Sequence, residues 1–356
     1  MGLAIRRAWP TEDRQEILGL FERNFGDRYE RRFNYLFSNP AGQCWTWLVY
    51  DQSSKAVLGT TSLFSKPMYV NGNPLAAGQV MFFAVDAKNR SLGPAVMLQR
   101  ATFEPVDRGE LAFCYDCPPH DQGMSTFVRL GMRPNCEMIR YVLPLRSDEY
   151  VRKRFGRGIW TKPLVSTANL LLGVRRSYHG EPGIEISRLD GAFGDEFSYL
   201  DRLVSSAGVI RAQRSADFLN WRFREFPGHP RGLTENTTGP AEVLVARRQG
   251  ELLAFAVFTS QDDDFIAIAD LFGLQLAEVG RSLLEAVIEI GRRNNSLGVY
   301  AYLAEGSELS RIFRSAGFRP RERCARVVAY EKSNGRTFEH LNTGLRWAFS
   351  QVELMQ

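Results

Sequence analysis

Between Val85 and Val96 the sequence reads VDAKNRSLGPAV, an apolar strand end that gives way to a polar stretch with one glycine and one proline before helix-forming residues begin. That order of residue types can hold phosphate. The first turn of a helix leaves backbone N–H groups without intrahelical acceptors, and the positive end of the helix dipole points the same way, so a short loop entering a helix attracts anions. Gly93 lets a ligand approach the backbone, Ala95 keeps the surface low, and Arg90 adds a positive charge. Pro94 gives up only an N–H that an early helical position cannot use. The spacing matches neither the G-x-x-x-x-G-K-[ST] loop of nucleoside triphosphatases nor the G-x-G-x-x-G of dinucleotide folds.

A second group with chemical capacity is CYDCPPHDQG, from Cys114 to Gly123. Asp116 and His120 are the candidates for proton transfer, because a carboxyl and an imidazole at a strand end can give and take protons near neutral pH. Cys114 and Cys117 form C-x-x-C, yet zinc takes four ligands and no second pair follows, so no metal is expected and Cys114 reads as core. The five cysteines of the chain are an odd number, scattered, and fit reduced thiols. QDDDF, Gln261 to Phe265, lies between two strand-like runs and reads as a solvated hairpin rather than a cation site.

The elements that must position these residues alternate. Leu3–Ala8 reads as a strand, Thr11 as the cap of a helix with Ile17, Leu18, Phe21 and Phe25 on one face, and 28–37 as a second helix. Strands follow at 44–51, 56–70 and 76–85, the last two joined by a turn at Asn71-Gly72. A helix from Pro94 to Glu104, a strand over Leu111–Asp116, a short helix near Ser125–Leu130 and a strand over 137–145 complete the first half.

Arg90-x-x-Gly93-x-Ala95 resembles the [QR]-x-x-G-x-[GA] diphosphate motif of the GNAT N-acetyltransferase superfamily, and Val85, Arg90, Gly93 and Leu98 meet its longer pattern. Ala87, Ser91 and Ala95 replace a Pro and two Gly of that pattern. LGMRP at Leu130–Pro134 is similar to the family's late turn, and the resemblance covers about residues 3–145 well and 184–330 more loosely. It implies a mixed, mostly antiparallel α/β sheet flanked by helices, with an acyl-CoA such as acetyl-CoA as co-substrate. The CoA contacts implied are Phe83, Ala84 and Val85, whose backbone would carry the oxyanion donor, and Arg90, Ser91, Leu92, Gly93, Pro94, Ala95 and Val96. The acceptor would be a small-molecule amine, of a sugar or amino acid. One family feature is missing: the acid tyrosine's position, four residues before the late glycine, is Phe127 here. A Fem-type aminoacyl transferase and a non-catalytic CoA-binding scaffold are the competing readings.

The pattern recurs. FNYLFSNPAG at Phe33 and LNWRFREFPG at Leu219 place Asn34 and Asn220 186 positions apart, as are Phe127 in FVRLGMRP and Phe313 in FRSAGFRP. Two matches at one offset predict two copies of one domain. The expected division is 1–146 for the CoA-binding copy, 147–183 for a basic and apolar helical linker, 184–335 for a degenerate copy and 336–356 for a C-terminal helix or tail. In the second copy Leu276 and Val279 stand where Arg90 and Gly93 stood, so one CoA per chain is expected, with Trp221 and Arg222 on the acceptor side. With 356 residues, 44% hydrophobic and 24% charged, and a net charge of +5, the chain reads as globular. No apolar run suits a membrane span, no nucleic-acid partner is indicated, and a cytoplasmic protein is expected, with membrane-surface contact by the linker the weaker reading.

Overall fold

The computed structural model describes residues 2–26, 29–89, 91–148, 181–204, 207–224, 240–261, 264–332, 341 and 345–354. Arg90 and most of the 147–183 linker therefore lie outside the described residues.

The first half runs β1 (Leu3–Ala8), α1 (Arg14–Phe25), α2 (Tyr29–Phe37), β2 (Cys44–Asp51), β3 (Val57–Val70), β4 (Asn73–Val85), α3 (Leu92–Ala101), α4 (Glu104–Asp107), β5 (Phe113–Asp116), α5 (Asp121–Arg129) and β6 (Cys136–Pro144). Asn71 and Gly72 have φ of 49° and 84°, the left-handed pair a two-residue hairpin turn requires, and they bring Val70 opposite Asn73. The cap of α1 is Asp13 and not Thr11. Its carboxylate accepts the Trp9 N–H at 2.8 Å and pairs with Arg6 at 2.7 Å, which fixes the entry of the chain into the helix. Ile17, Leu20 and Phe21 are buried on that helix, while Phe25 is exposed and stacks on Tyr29 at 4.9 Å.

The second half repeats much of this order: β7 (Glu185–Arg188), α6 (Asp195–Leu203), β8 (Val209–Ala212), α7 (Ala216–Phe223), β9 (Glu242–Arg248), β10 (Glu251–Ser260), β11 (Phe265–Gly273), α8 (Arg281–Arg293), β12 (Gly298–Ala304), α9 (Glu308–Ser315) and β13 (Arg319–Glu331). A short β14 (Arg346–Trp347) pairs with β8, which crosses to the end of β3. β10 and β11 pair antiparallel, with Gln261 N–H bonded to Phe265 O at 2.8 Å, and Asp262 and Asp263 of QDDDF lie outside the described residues.

The halves exchange a strand. Along the sheet the order is β1-β2-β3-β4-β5-β13-β6-β12-β11-β10-β9-β7, so β13 closes the first half and β6 closes the second. β6 and β13 lie antiparallel to each other at the centre. Residues one repeat apart meet there. Glu137 pairs with Arg323 at 3.0 Å, and the Cys324 thiol donates to Met138 O at 3.2 Å. Away from the sheet, the Tyr35 and Trp221 rings stack at 4.6 Å. Residues 186 positions apart thus lie against each other both within the sheet and beside it.

Each half-sheet is covered on both faces, as a buried mixed sheet requires. In the first half, Trp45 and Trp47 pack under Leu98 of α3, while Leu48 and Ala84 on the opposite face pack against α1 and α2. In the second half α8 and α9 cover one face and α6 and α7 the other. The α2 and α7 sides meet in a shared apolar cluster that joins Tyr35, Phe64 and Met81 to Phe218 and Trp221.

Candidate functional site

β4 and β5 run parallel and pair only at Ala77–Phe113, Gly78–Cys114 and Gln79–Tyr115. β4 continues to Val85 with β3 on its other side, whereas β5 ends at Asp116. Beyond Gln79 the two strands no longer pair. β4 also bulges there. Thr60 faces Ala84 and Ser62 faces Met81, so Phe82 and Phe83 together oppose Thr61. Phe82 has φ of 55°, a left-handed backbone that a bulky side chain rarely adopts, and strain of this kind, on the order of 1–3 kcal/mol, collects at functional sites. Its ring lies 5.0 Å from Phe21 on the α1 side, while Phe83 packs in the core under α3.

The loop after β4 delivers the chain into α3, which begins at Leu92 rather than Pro94. Gly93 and Pro94 are then the second and third helical residues, inside the turn whose N–H groups have no helical acceptors. Ser91, Leu92 and Gly93 are exposed, Pro94 is buried, and Ala95 and Val96 are half-buried. A β-carbon added at Gly93 would meet only Leu3 Cδ1, at 3.4 Å, so the space above this glycine is open. Asp86, just before the loop, is held by Arg23 at 2.9 Å and by the Lys88 N–H at 3.0 Å. The exposed turn is of the kind an anionic diphosphate fits: bare amides, a small surface and the positive end of a helix.

Asp116 closes β5 half-buried. Burial pushes its carboxyl up to about 7, against the pull of the Cys117 N–H that it accepts at 2.6 Å. His120 is exposed, four residues on, at the cap position of α5. Cys114 and Cys117 are buried, and burial raises both thiols far above their ordinary value. Among the described residues no cluster of three or more His, Cys, Asp and Glu could hold a metal. Phe127, at the position of the family's acid, is core.

At the end of the β4–β5 pairing lies a polar group that the sequence did not announce. Gln79 Oε1 accepts from Lys66 Nζ and from the Tyr115 hydroxyl, each at 3.1 Å, and Gln79 Nε2 donates to Glu353 O at 2.7 Å. Lys66 Nζ also donates to Val352 O at 3.1 Å. Burial, opposed by Glu353 and assisted by Arg214, brings the Lys66 amine down to about 7. The only signal was a lysine and a glutamine inside otherwise apolar strands.

These contacts belong to a C-terminal segment that threads the molecule. Phe349 O accepts the Ala304 N–H at 2.9 Å, Ser350 Oγ bonds Asp270 at 3.0 Å, and Arg214, fully buried, bridges Asp270 at 3.0 Å and Glu353 at 2.5 Å. β11 and β12 pair from Phe265–Gly298 to Ile268–Ala301 and then part, as β4 and β5 do. Past that point Phe349 bonds to β12 and Ser350 to β11, before Val352 and Glu353 reach Lys66 and Gln79 of the first half. The turn that corresponds to the α3 entry is also altered. Gln275 has φ of 50°, a wide π turn runs over Leu276–Gly280 into α8, the Val279 N–H is taken by Gln275 O at 2.9 Å, and the Val279 side chain is core.

Trp221 and Arg222 do not line an open acceptor path. Trp221 is buried, with its Nε1 donating to Tyr35 O at 3.1 Å, and Arg222 is buried beside the Tyr35 hydroxyl.

No protein-family model and no curated protein sequence matches the chain. Solved structures do. A probable N-acyltransferase from Enterococcus faecalis V583 superposes with a TM-score of 0.65 at 11% identity, over 92% of this chain and 72% of its own. A GCN5-related N-acetyltransferase from Anabaena variabilis gives 0.63 at 11% identity over the same shares. The chain has the GNAT fold. N-myristoyltransferase from Saccharomyces cerevisiae, a structure with bound myristoyl-CoA, matches at 0.55 and 10% identity over 92% of this chain and 82% of its own.

Proposed function

We propose that the protein is an acyl-CoA-dependent N-acyltransferase that moves an acyl group, acetyl in the first instance, to the amine of a small molecule such as a sugar or amino acid. The observation that carries this reading is the end of the parallel β4–β5 pairing at Gln79–Tyr115, with a bulge at Phe82–Phe83 farther along β4 and the open first turn of α3 after it. In that arrangement the amides of the turn from Ser91 to Val96 take the diphosphate of CoA, and Arg90 adds charge. The acyl thioester lies along β4 past Gln79. The reaction forms a C–N bond and breaks a C–S bond; the amine loses a proton and the thiolate gains one. A backbone N–H between Phe83 and Val85, re-aimed by the bulge, would meet the oxyanion as it develops. Asp116 is the acid for the thiolate, because a carboxyl raised to about 7 keeps its proton in about half of the molecules at neutral pH. His120, exposed, can exchange that proton with solvent.

The test is direct. Acetyl-CoA at 100 times its dissociation constant should stabilise the protein by roughly 2.7 kcal/mol, and release of free CoA thiol should depend on an added amine. Absence of both would remove the acyl-CoA reading. Binding without turnover on any amine would favour a non-catalytic CoA-binding protein.

A further inference from the structure

Around the last β4–β5 pair, β4 sends its side chains to two different places. Val80 and Phe83 pack with the core beneath α3. Gln79 and Met81 are two residues apart and share the opposite face, where α7 of the second half covers them. A cavity of about 10 Å³ lies there, with Phe64, Lys66, Gln79, Met81, Phe218 and Trp221 in its lining. A space of that size takes one group no larger than a water molecule or a methyl.

The walls are packed on the apolar side and hydrogen-bonded on the polar side. Phe64, Met81, Phe218 and Trp221 belong to one buried cluster, with the Phe218 and Trp221 rings 5.8 Å apart. Trp221 in turn stacks on Tyr35 at 4.6 Å and donates to Tyr35 O, so α7 is tied to α2 at this point. Lys66 Nζ donates to Gln79 Oε1 at 3.1 Å and lies 5.4 Å from the centre of the Phe218 ring. Val352 O and Glu353 O bond the same two side chains. A hydrocarbon chain driven between them would part buried donors from their acceptors, which is unfavourable.

We propose that this cavity is the end stop for the acyl tail of the donor, and that the second half, through Phe218 on α7, restricts that tail to an acetyl group. The inference rests on the acyl-CoA reading. In that reading the thioester carbonyl meets an N–H between Phe83 and Val85, just past Met81 on the same strand. Val80 and Phe83 occupy the α3 face, so the acyl methyl turns toward Met81. Further carbons collide with Met81 and Phe218. The half without a phosphate cradle thereby takes part in choosing the donor.

The test compares CoA, acetyl-CoA and butyryl-CoA by calorimetry on the full chain, without an acceptor. Wild type should bind acetyl-CoA at least as tightly as CoA, and butyryl-CoA at least about tenfold more weakly than acetyl-CoA. An unobstructed apolar space gives the reverse order, because each CH₂ buried strengthens binding about fourfold. Met81→Ala and the milder Phe218→Leu each take volume from one wall, and each should raise butyryl-CoA affinity relative to acetyl-CoA about tenfold. Butyryl-CoA bound by wild type as tightly as acetyl-CoA would overturn the end stop, with or without a folded variant. A ratio unchanged in both variants, each shown by its melting curve to be folded, would overturn its assignment to this cavity. Failure of CoA and of both thioesters to bind would instead remove the acyl-CoA reading itself, and this inference with it.

Discussion

Gly93 and Asp116 carry the sharpest consequences at the scale of single residues. A side chain at Gly93 finds open space apart from Leu3 at 3.4 Å, so Gly93→Asp should fold normally. It would set a carboxylate against the CoA diphosphate at a turn that otherwise favours anions, and CoA affinity measured by calorimetry should fall by at least about a hundredfold. Unchanged affinity in a folded variant would remove the diphosphate from this loop. Asp116 is raised from 3.8 to about 7 by burial. Between those values the unfolded chain has released the proton that the native state keeps, so this residue takes stability away as pH rises from about 4 to about 7. Asp116→Asn should therefore gain melting temperature relative to wild type across that window and show a constant difference above it. As the acid for the thiolate, the protonated form is the working one, so wild-type kcat should decline as pH passes about 7. The Asn variant should lose that limb and about 10²-fold or more in kcat. A Tm difference that is flat from pH 4 to pH 8 would sink the burial argument, and a retained limb would sink the catalytic one.

At the scale of elements, α2 and α7 meet where one repeat touches the other, and the C-terminal segment ties together strands from both halves. Trp221→Ala would leave a cavity under Tyr35 and remove two hydrogen bonds, and large-to-small changes of this kind cost about 3–5 kcal/mol. Denaturant unfolding should register that loss while acetyl-CoA affinity stays as in wild type; intact stability with weakened acceptor use would instead return Trp221 to the acceptor path. Glu353→Gln would leave Arg214 with Asp270 alone in a fully buried place. Removing one partner of a buried ion pair costs about 3–5 kcal/mol, with the lower end expected here because a second carboxylate remains. Equal urea midpoints for wild type and variant would show that the segment is not held by this charge.

For the whole molecule, each half offers a strand, a turn and a helix of this kind, and together they support one CoA. The first is open at the α3 turn. In the second, Phe349 bonds to β12 and Ser350 to β11, and Val279 replaces the glycine of the cradle and faces the core. Titration with acetyl-CoA should saturate at one per chain, and a second equivalent of comparable affinity would contradict the asymmetry. The exchange of β6 and β13 has a further consequence. Each half-sheet is completed by a strand from the other half, so the two should unfold in a single transition rather than as separate domains.

Local chemistry was enough for much of this. The apolar run into a Gly-Pro turn fixed β4, the loop and α3, because strand, turn and helix propensities there agree over a short span. The 186-residue offset is legible in the sequence, since it depends only on which residue types return in order. The hairpin at Asn71-Gly72 needed two left-handed residues, and only that pair supplied them. What the sequence could not decide was set by contacts between distant segments. A strand's apolar pattern says which face it buries but not which half it joins, so the exchange of β6 and β13 left no trace. The bulge at Phe82 runs through an apolar stretch without glycine, and surrounding packing holds it. Lys66, Gln79 and Tyr115 are unremarkable in their own strands and become one network only when Val352 and Glu353 arrive from the far end of the chain. Trp221 and Arg222 read as the acceptor side because the second half could cover the cleft there; the packing of α7 on α2 instead buries them against Tyr35.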